Sequence, residues 1–452
     1  MLIEPRQIKL FLRQKIAKWP DLTIAIIGGL AAFGCYTSMY AFRKAFSAGT
    51  FDNSSFFGVD YKVCIIVAQM LGYTFSKFYG IKFISQYGKN HRARYILLLI
   101  FIAWMALLGF AVIPAPYNIS MLVLNGFPLG LIWGLVFSYL EGRRMTELMG
   151  AIMAMSLVFA AGFVKSIARY LMSIFSVTEF WMPFATGLLF VLPMLLFVLA
   201  LELLPGPTES DRKHRIERIA MDGEQRKKFL MEFLPGILLV LVIYGLLTCI
   251  RDIRDNFEVE IWAGLGIKSS VIYAKTDSII AVIVLGVVAM LVLVKNNIRA
   301  FVWVHYIVII GCALIGLGTL SYNLGYLKPT IWMTVVGLGI YVAYIPFHAI
   351  FFERMIASLH YKANVGFLIY IVDSVGYLGS FILLIFHELA GKGITWSNYF
   401  NQSLLITSLI TTLAAILSLI YFLSRLKRVV KNEAGKKIET GVSANKWELL
   451  LK

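Results

Sequence analysis

The stretch LTIAIIGGLAAFGCYTSMYAFRKAFS, residues 22–47, decides how this chain must fold. Positions 22–42 carry no charge, and then Arg43 and Lys44 stand side by side. About 20 apolar residues cross the hydrocarbon of a bilayer as a helix, so the stretch reads as a transmembrane helix with two cations near one end. A charge at membrane depth costs at least ~2.5–3.5 kcal/mol on insertion scales, and its default explanation is function.

Segments of the same kind recur at about 60–86, 95–114, 118–140, 148–172, 180–203, 235–259, 268–294, 300–321, 327–351, 364–388 and 400–424, which makes twelve. Of the 452 residues, 59% are hydrophobic and 15% charged, and mean hydropathy is +0.79. A water-soluble core cannot absorb that much apolar surface, so the expected fold is an all-α polytopic membrane protein with the lipid bilayer as its solvent. The net charge of +17 does not indicate nucleic acid. The excess sits in short loops, with Arg13, Lys15 and Lys18; Lys89, Arg92 and Arg94; Arg143 and Arg144; Lys295 and Arg299; Arg354 and Lys362 in one alternate set. That asymmetry places both termini in the cytoplasm. The basic first twenty residues lack a short apolar core and cleavage site, so an uncleaved first span in a bacterial cytoplasmic membrane is expected.

The polar stretch 204–234 holds seven Lys/Arg and separates six spans from six. The expected organisation is an N-terminal bundle (1–203), a basic cytoplasmic linker (204–234), a C-terminal bundle (235–425) and a cytoplasmic tail (426–452). Short motifs repeat between the halves. Tyr36-x6-Arg43 matches Tyr244-x6-Arg251, Lys89-Asn90 before Arg92 matches Lys295-Asn296 before Arg299, and Arg144-Met145 matches Arg354-Met355. Two pseudo-symmetric six-helix bundles of this kind enclose a site near the membrane midplane, with Arg43 and Arg251 facing each other across it. Lys77 lies twelve residues before Lys89, about 18 Å along a helix and so near mid-bilayer. Lys275 and Asp277 fall about 30 and 27 Å from Lys295 and are expected near the outer edge. Arg254, with Asp252 and Asp255, reads as a structural ion-pair network.

Arginines in a membrane cavity suit an oxyanion, because the planar guanidinium fork matches its oxygens and stays charged at any working pH. Two arginines from opposite halves repel when empty and are drawn together by an anion between them, which couples binding to rocking of the halves. The four cysteines lie in apolar segments without CxxC spacing, and neither a metal-ligand pattern, a phosphate-cradling loop nor a nucleophile elbow is found. No enzyme activity, cofactor or metal is expected.

Several segments resemble one family. GCYTSMYAFRKAFSAG, LGYTFSKFYG with the basic GKNHRAR, YGLLTCIRDIRDNF, GLGIYVAYIP and VGFLIYIVDSVGYLGS are similar to stretches of the organophosphate:phosphate antiporters. That branch of the major facilitator superfamily includes the glycerol-3-phosphate and hexose-phosphate transporters. The resemblance implies the major facilitator fold, with Arg43 and Arg251 as a phosphate clamp, Lys77 and Lys44 as further positive charges, and Tyr36, Tyr40, Tyr73 and Tyr377 as site walls. Where the family has a fifth-span histidine, this chain has Phe159, and Lys165 follows two turns on. Asp373 has no counterpart, and with Lys165 it is a candidate coupling or counter-ion residue. The expected activity is secondary active transport of a small organic anion by one chain, most simply a phosphate ester exchanged for phosphate. Two alternatives stay open: proton-coupled transport of another organic acid or sugar, and a non-transporting sensor on the same scaffold.

Overall fold

The computed structural model describes residues 5–52, 54–86, 91–143, 145–207, 223–359, 361, 365–390 and 393–439. Lys89, Asn90, Arg144, Lys362, the middle of the linker and the end of the tail lie outside that set. Apart from a two-stranded hairpin, Ser55–Phe56 with Val59–Asp60, the regular structure described is helical. In chain order the helices are α1 (Pro5–Ile16), α2 (Asp21–Lys44), α3 (Tyr61–Gln86), α4 (Arg92–Val112), α5 (Ile119–Leu140), α6 (Thr146–Ala154), α7 (Ser156–Phe175), α8 (Met182–Leu203), α9 (Gly223–Glu232), α10 (Leu234–Gly264), α11 (Val271–Leu293), α12 (Asn297–Asn323), α13 (Pro329–Pro346), α14 (Phe352–Ser358), α15 (Val365–Ala390) and α16 (Trp396–Glu439).

Eleven helical segments among the described residues are long and apolar enough to cross a membrane, with α6 and α7 acting as one. The 26-residue α3 fills the second-span position between α2 and α4. The all-α polytopic architecture expected from hydropathy is therefore the one observed. Large apolar side chains such as Leu192, Leu196, Leu409 and Leu413 remain exposed on the outer faces, as a lipid-facing surface requires.

Lipid is as apolar as leucine, so helices associate through close packing rather than through water exclusion. The tightest crossing is α3 on α5. A Cβ on Gly72 would lie 2.1 Å from the Val123 carbonyl oxygen, and one on Gly126 would lie 2.2 Å from that of Gln69. Only hydrogen fits at either position. α7 packs on α11 in the same way, where a Cβ on Gly162 would meet Tyr273 O at 2.6 Å. That crossing, and a lighter one of α3 on α15, join segments from before and after the linker. They bring the ends of α2 and α10 together.

Candidate functional site

Arg43 and Lys44 form the last turn of α2, before a 3-10 turn at Ala45–Ala48. A helix end leaves carbonyls without partners, and here two buried amides fill that need. Asn125 Nδ2 donates to Phe42 O (3.0 Å) and Ala103 O (2.9 Å), and Gln69 Nε2 donates to Arg43 O (2.7 Å) and Asn125 Oδ1 (2.7 Å). The backbone of the cationic pair is thus held from α3 and α5. Cations at a helix C-terminus also complement the helix dipole.

The Arg43 guanidinium lies over the Tyr73 ring at 4.1 Å and near Tyr40 at 5.6 Å. Its Nε is buried and without a hydrogen-bond partner. Lys44 is buried and donates to Asn256 Oδ1 at 2.6 Å. A cavity with room for roughly one water molecule (≈ 10 Å³) opens beside them, lined on its polar side by Arg43, Lys44, Gln69, Tyr73, Asp252, Asn256 and Tyr377. Tyr73 and Tyr377 meet edge to face at 5.5 Å, from α3 and α15. Tyr36 and Tyr40 meet edge to face at 5.7 Å, and Tyr36 packs on Trp133 at 4.9 Å. Neither Tyr36 nor Tyr40 lines this cavity.

Arg251 occupies a different setting. Its Nη2 and Nε donate to Asp252 Oδ1 at 2.7 and 3.3 Å, and its guanidinium lies 4.5 Å over the Tyr344 ring. Asp252, held by Ser380 Oγ at 2.8 Å, is itself part of the cavity lining, whereas Arg251 is not. Lys77 lies on α3, and its side chain is outside the described residues.

The other buried cations carry acids. Arg254 Nη2 bonds Asp277 Oδ1 at 2.7 Å and has Glu258 at 3.7 Å and Asp255 at 3.9 Å. Lys165 pairs with Glu258 and donates to Asp255 O at 3.0 Å. Lys62 pairs with Glu260. Arg254 is in an ion-pair network, but its main partner is Asp277 rather than the expected Asp252, which pairs with Arg251. Asp277, expected near the outer edge, has a partner in Arg254 rather than in Lys275 or headgroups. It is fully buried and also accepts from Gly162 N at 2.9 Å, because the small Gly162 lets α11 approach α7. Among the described residues, the half-buried Arg43 and the buried Lys44 are the cations of this region without a carboxylate within ion-pair distance.

A second polar group lies beside Arg251. Tyr244 donates to Asp373 Oδ1 and is bonded to Tyr344 Oη (2.9 Å) and His348 Nε2 (2.8 Å). His348 is not among the residues singled out from the sequence. Its signal was Pro346, two residues earlier, which lacks the N–H that a regular helix needs. A π-helical turn, Phe347–Phe351, follows and aims the ring inward. Asn125, Gln69 and Asn256 also went unnamed, since lone amides in apolar segments carry no spacing signal.

A family model spans residues 45–425 of this chain, and it is that of a family of unknown function, DUF5690. The chain belongs to DUF5690. No curated protein shows detectable sequence similarity to this DUF5690 chain. Among solved structures it is similar to a D-xylose–proton symporter (14% identity, TM-score 0.59, covering 88% of this chain and 96% of that one). It also resembles the inward-open xylose transporter XylE from E. coli (14%, TM-score 0.55, 88% and 95%). A POT family transporter in complex with a thioalcohol-conjugated peptide matches at 11% identity, with a TM-score of 0.56 over 88% and 96%. These likenesses show the fold: this DUF5690 member has the major facilitator architecture of an integral membrane protein.

Proposed function

We propose that the chain is a secondary transporter that moves a small organic anion by alternating access, most simply a phosphate ester in exchange for phosphate. One observation carries the reading. Arg43, half-buried with its Nε enclosed, and the buried Lys44 are without an acid in ion-pair contact among the described residues, and they share one small cavity with groups from α3, α10 and α15. Buried positive charge without a counter-ion is costly, and an anion bound there would supply what the chain withholds. The Arg43 fork and the Tyr73 and Tyr377 hydroxyls are the hydrogen-bond donors for its oxygens.

The cavity is smaller than a phosphate ester, so loading requires the two halves to part. The sequence segments that resemble the organophosphate:phosphate antiporters support the phosphate class, and the transport activity named for the xylose and peptide proteins supports a transport role. Cytoplasmic termini and action as one chain complete the proposal. No covalent chemistry is required.

The test is uptake of labelled phosphate into proteoliposomes loaded with phosphate, glycerol phosphate or hexose phosphate. The expected result is uptake that depends on an internal phosphorylated counter-substrate. Equal uptake into empty and loaded vesicles, or none with any phosphorylated partner, would overturn the exchange reading.

A further inference from the structure

We infer that Asp373, Tyr244, Tyr344 and His348 form a proton-binding relay that couples proton movement to the anion site. The inference rests on the transporter reading above and names a second ligand for it, the proton. Four residues from α15, α10, α13 and the π-helical turn meet at hydrogen-bond distance. Tyr344 Oη and His348 Nε2 are 2.9 Å apart, and each is within 2.9 Å of Tyr244 Oη, which donates to Asp373. Tyr244, Tyr344 and Asp373 are 1%, 2% and 6% exposed. His348 is half-buried and packs 6.4 Å from Trp133 of α5, so it is the end of the chain open to exchange.

The hydroxyl count sets the direction of transfer. Tyr244 has one proton, and it points at the Asp373 carboxylate. Tyr244 Oη can then only accept from His348 or Tyr344. When the imidazole takes a proton from water, its Nε2–H donates to Tyr244 Oη. Tyr244 passes its own proton to Asp373 Oδ1 and receives the imidazole proton in exchange. The outcome is a neutral imidazole, an intact tyrosine and a carboxylic acid. One proton has crossed, and no other reactant is used.

The relay adjoins the anion site. Arg251 lies 4.5 Å over the Tyr344 ring and bonds Asp252, which lines the cavity. Tyr377 lies within electrostatic reach of Asp373, Arg43 and Arg251 together. Other polar groups on the surrounding helices include Tyr73 on α3, Thr248 on α10 and Ser374 on α15; Lys77, also on α3, has its side chain outside the described residues. Protonating Asp373 removes one negative charge from this neighbourhood, which favours an incoming anion. By reciprocity the anion favours the proton, so the two travel together.

Two measurements test this on the full-length protein. In the first, infrared difference spectra are recorded as pH is lowered, without added solute. A carboxylic-acid carbonyl band is expected to titrate in, to be missing in Asp373→Asn, and to shift in Tyr244→Phe, with folding of each variant checked by circular dichroism. Second, proteoliposomes carrying a pH-sensitive dye report proton entry with phosphate. The ratio of pH-driven uptake to phosphate–phosphate counterflow should fall about tenfold in Asp373→Asn and His348→Gln, the scale of a typical coupling between sites. A spectrum in which no titrating band depends on Asp373 overturns the relay. Phosphate exchange without proton movement also overturns it and leaves the anion reading standing. A titrating Asp373 band in a protein that carries no phosphate upholds the proton site and sinks the anion reading instead.

Discussion

The ends of the first and seventh spans begin from the same pattern and finish with different chemistry. Each has tyrosine followed seven residues on by arginine, and each arginine lies over a tyrosine ring, at 4.1 Å for Arg43 and 4.5 Å for Arg251. The next residue separates them. Lys44 follows Arg43 and adds a charge, whereas Asp252 follows Arg251 and cancels one. Farther along α10, Arg254 is surrounded by three acids. The same Tyr-x6-Arg pattern therefore precedes both arginines, while the residues beside them set whether each charge stays available to a ligand.

That contrast can be broken at its most heavily paired member. Arg254→Gln leaves Asp277 and Glu258 buried beside a neutral side chain, which should cost about 3–5 kcal/mol of stability. Unfolding of the purified protein in detergent measures it, and a wild-type midpoint would mean that the network is not ionic. The unpaired end should behave differently. Arg43→Gln should leave unfolding almost unchanged and weaken phosphate-ester binding by about 2–3 kcal/mol, or roughly 30–150-fold. Arg43→Lys should restore only part of that loss, because the ammonium lacks the fork.

Removing the acid from the paired arginine sharpens the comparison. Asp252→Asn frees Arg251 and lowers the negative charge at the cavity, so anion affinity should rise about 3–10-fold, a change of roughly 1 kcal/mol. Unchanged or weaker binding in equilibrium titration would remove Arg251 from anion recognition. The smallest effect belongs to Arg354–Glu147, where the carboxylate is 35% exposed at a 3.0 Å contact. Arg354→Gln should cost less than about 1 kcal/mol in the same unfolding assay.

The fold was almost wholly legible in the sequence, because hydropathy over 20 residues is a local quantity and the membrane imposes helix on every span. Helix ends match the expected spans within a few residues until the last. There α16 continues to Glu439, since RLKRVVKNEA is polar yet composed mainly of good helix formers. The polar contacts were legible only in part. Arg43, Lys44, Tyr73 and Tyr377 were all named from sequence, and the structure brings them to one cavity. That Asp277 pairs with Arg254, that Glu260 answers Lys62, or that Asn125 caps α2 depends on helices meeting from 23 to 198 residues apart. No local spacing encodes such meetings. His348 was hidden for a related reason, as a single proline altered the phase of its helix.

The central claim is that Arg43 and Lys44 receive an anion that the chain itself does not supply. The most direct measurement is the thermal shift of purified protein titrated with phosphate, phosphate esters and dicarboxylates, repeated with Arg43→Gln. Saturable stabilisation of the native protein by a phosphorylated ligand, abolished in the variant, is the result predicted. Equal stabilisation of both proteins, or of neither by any anion, would contradict it.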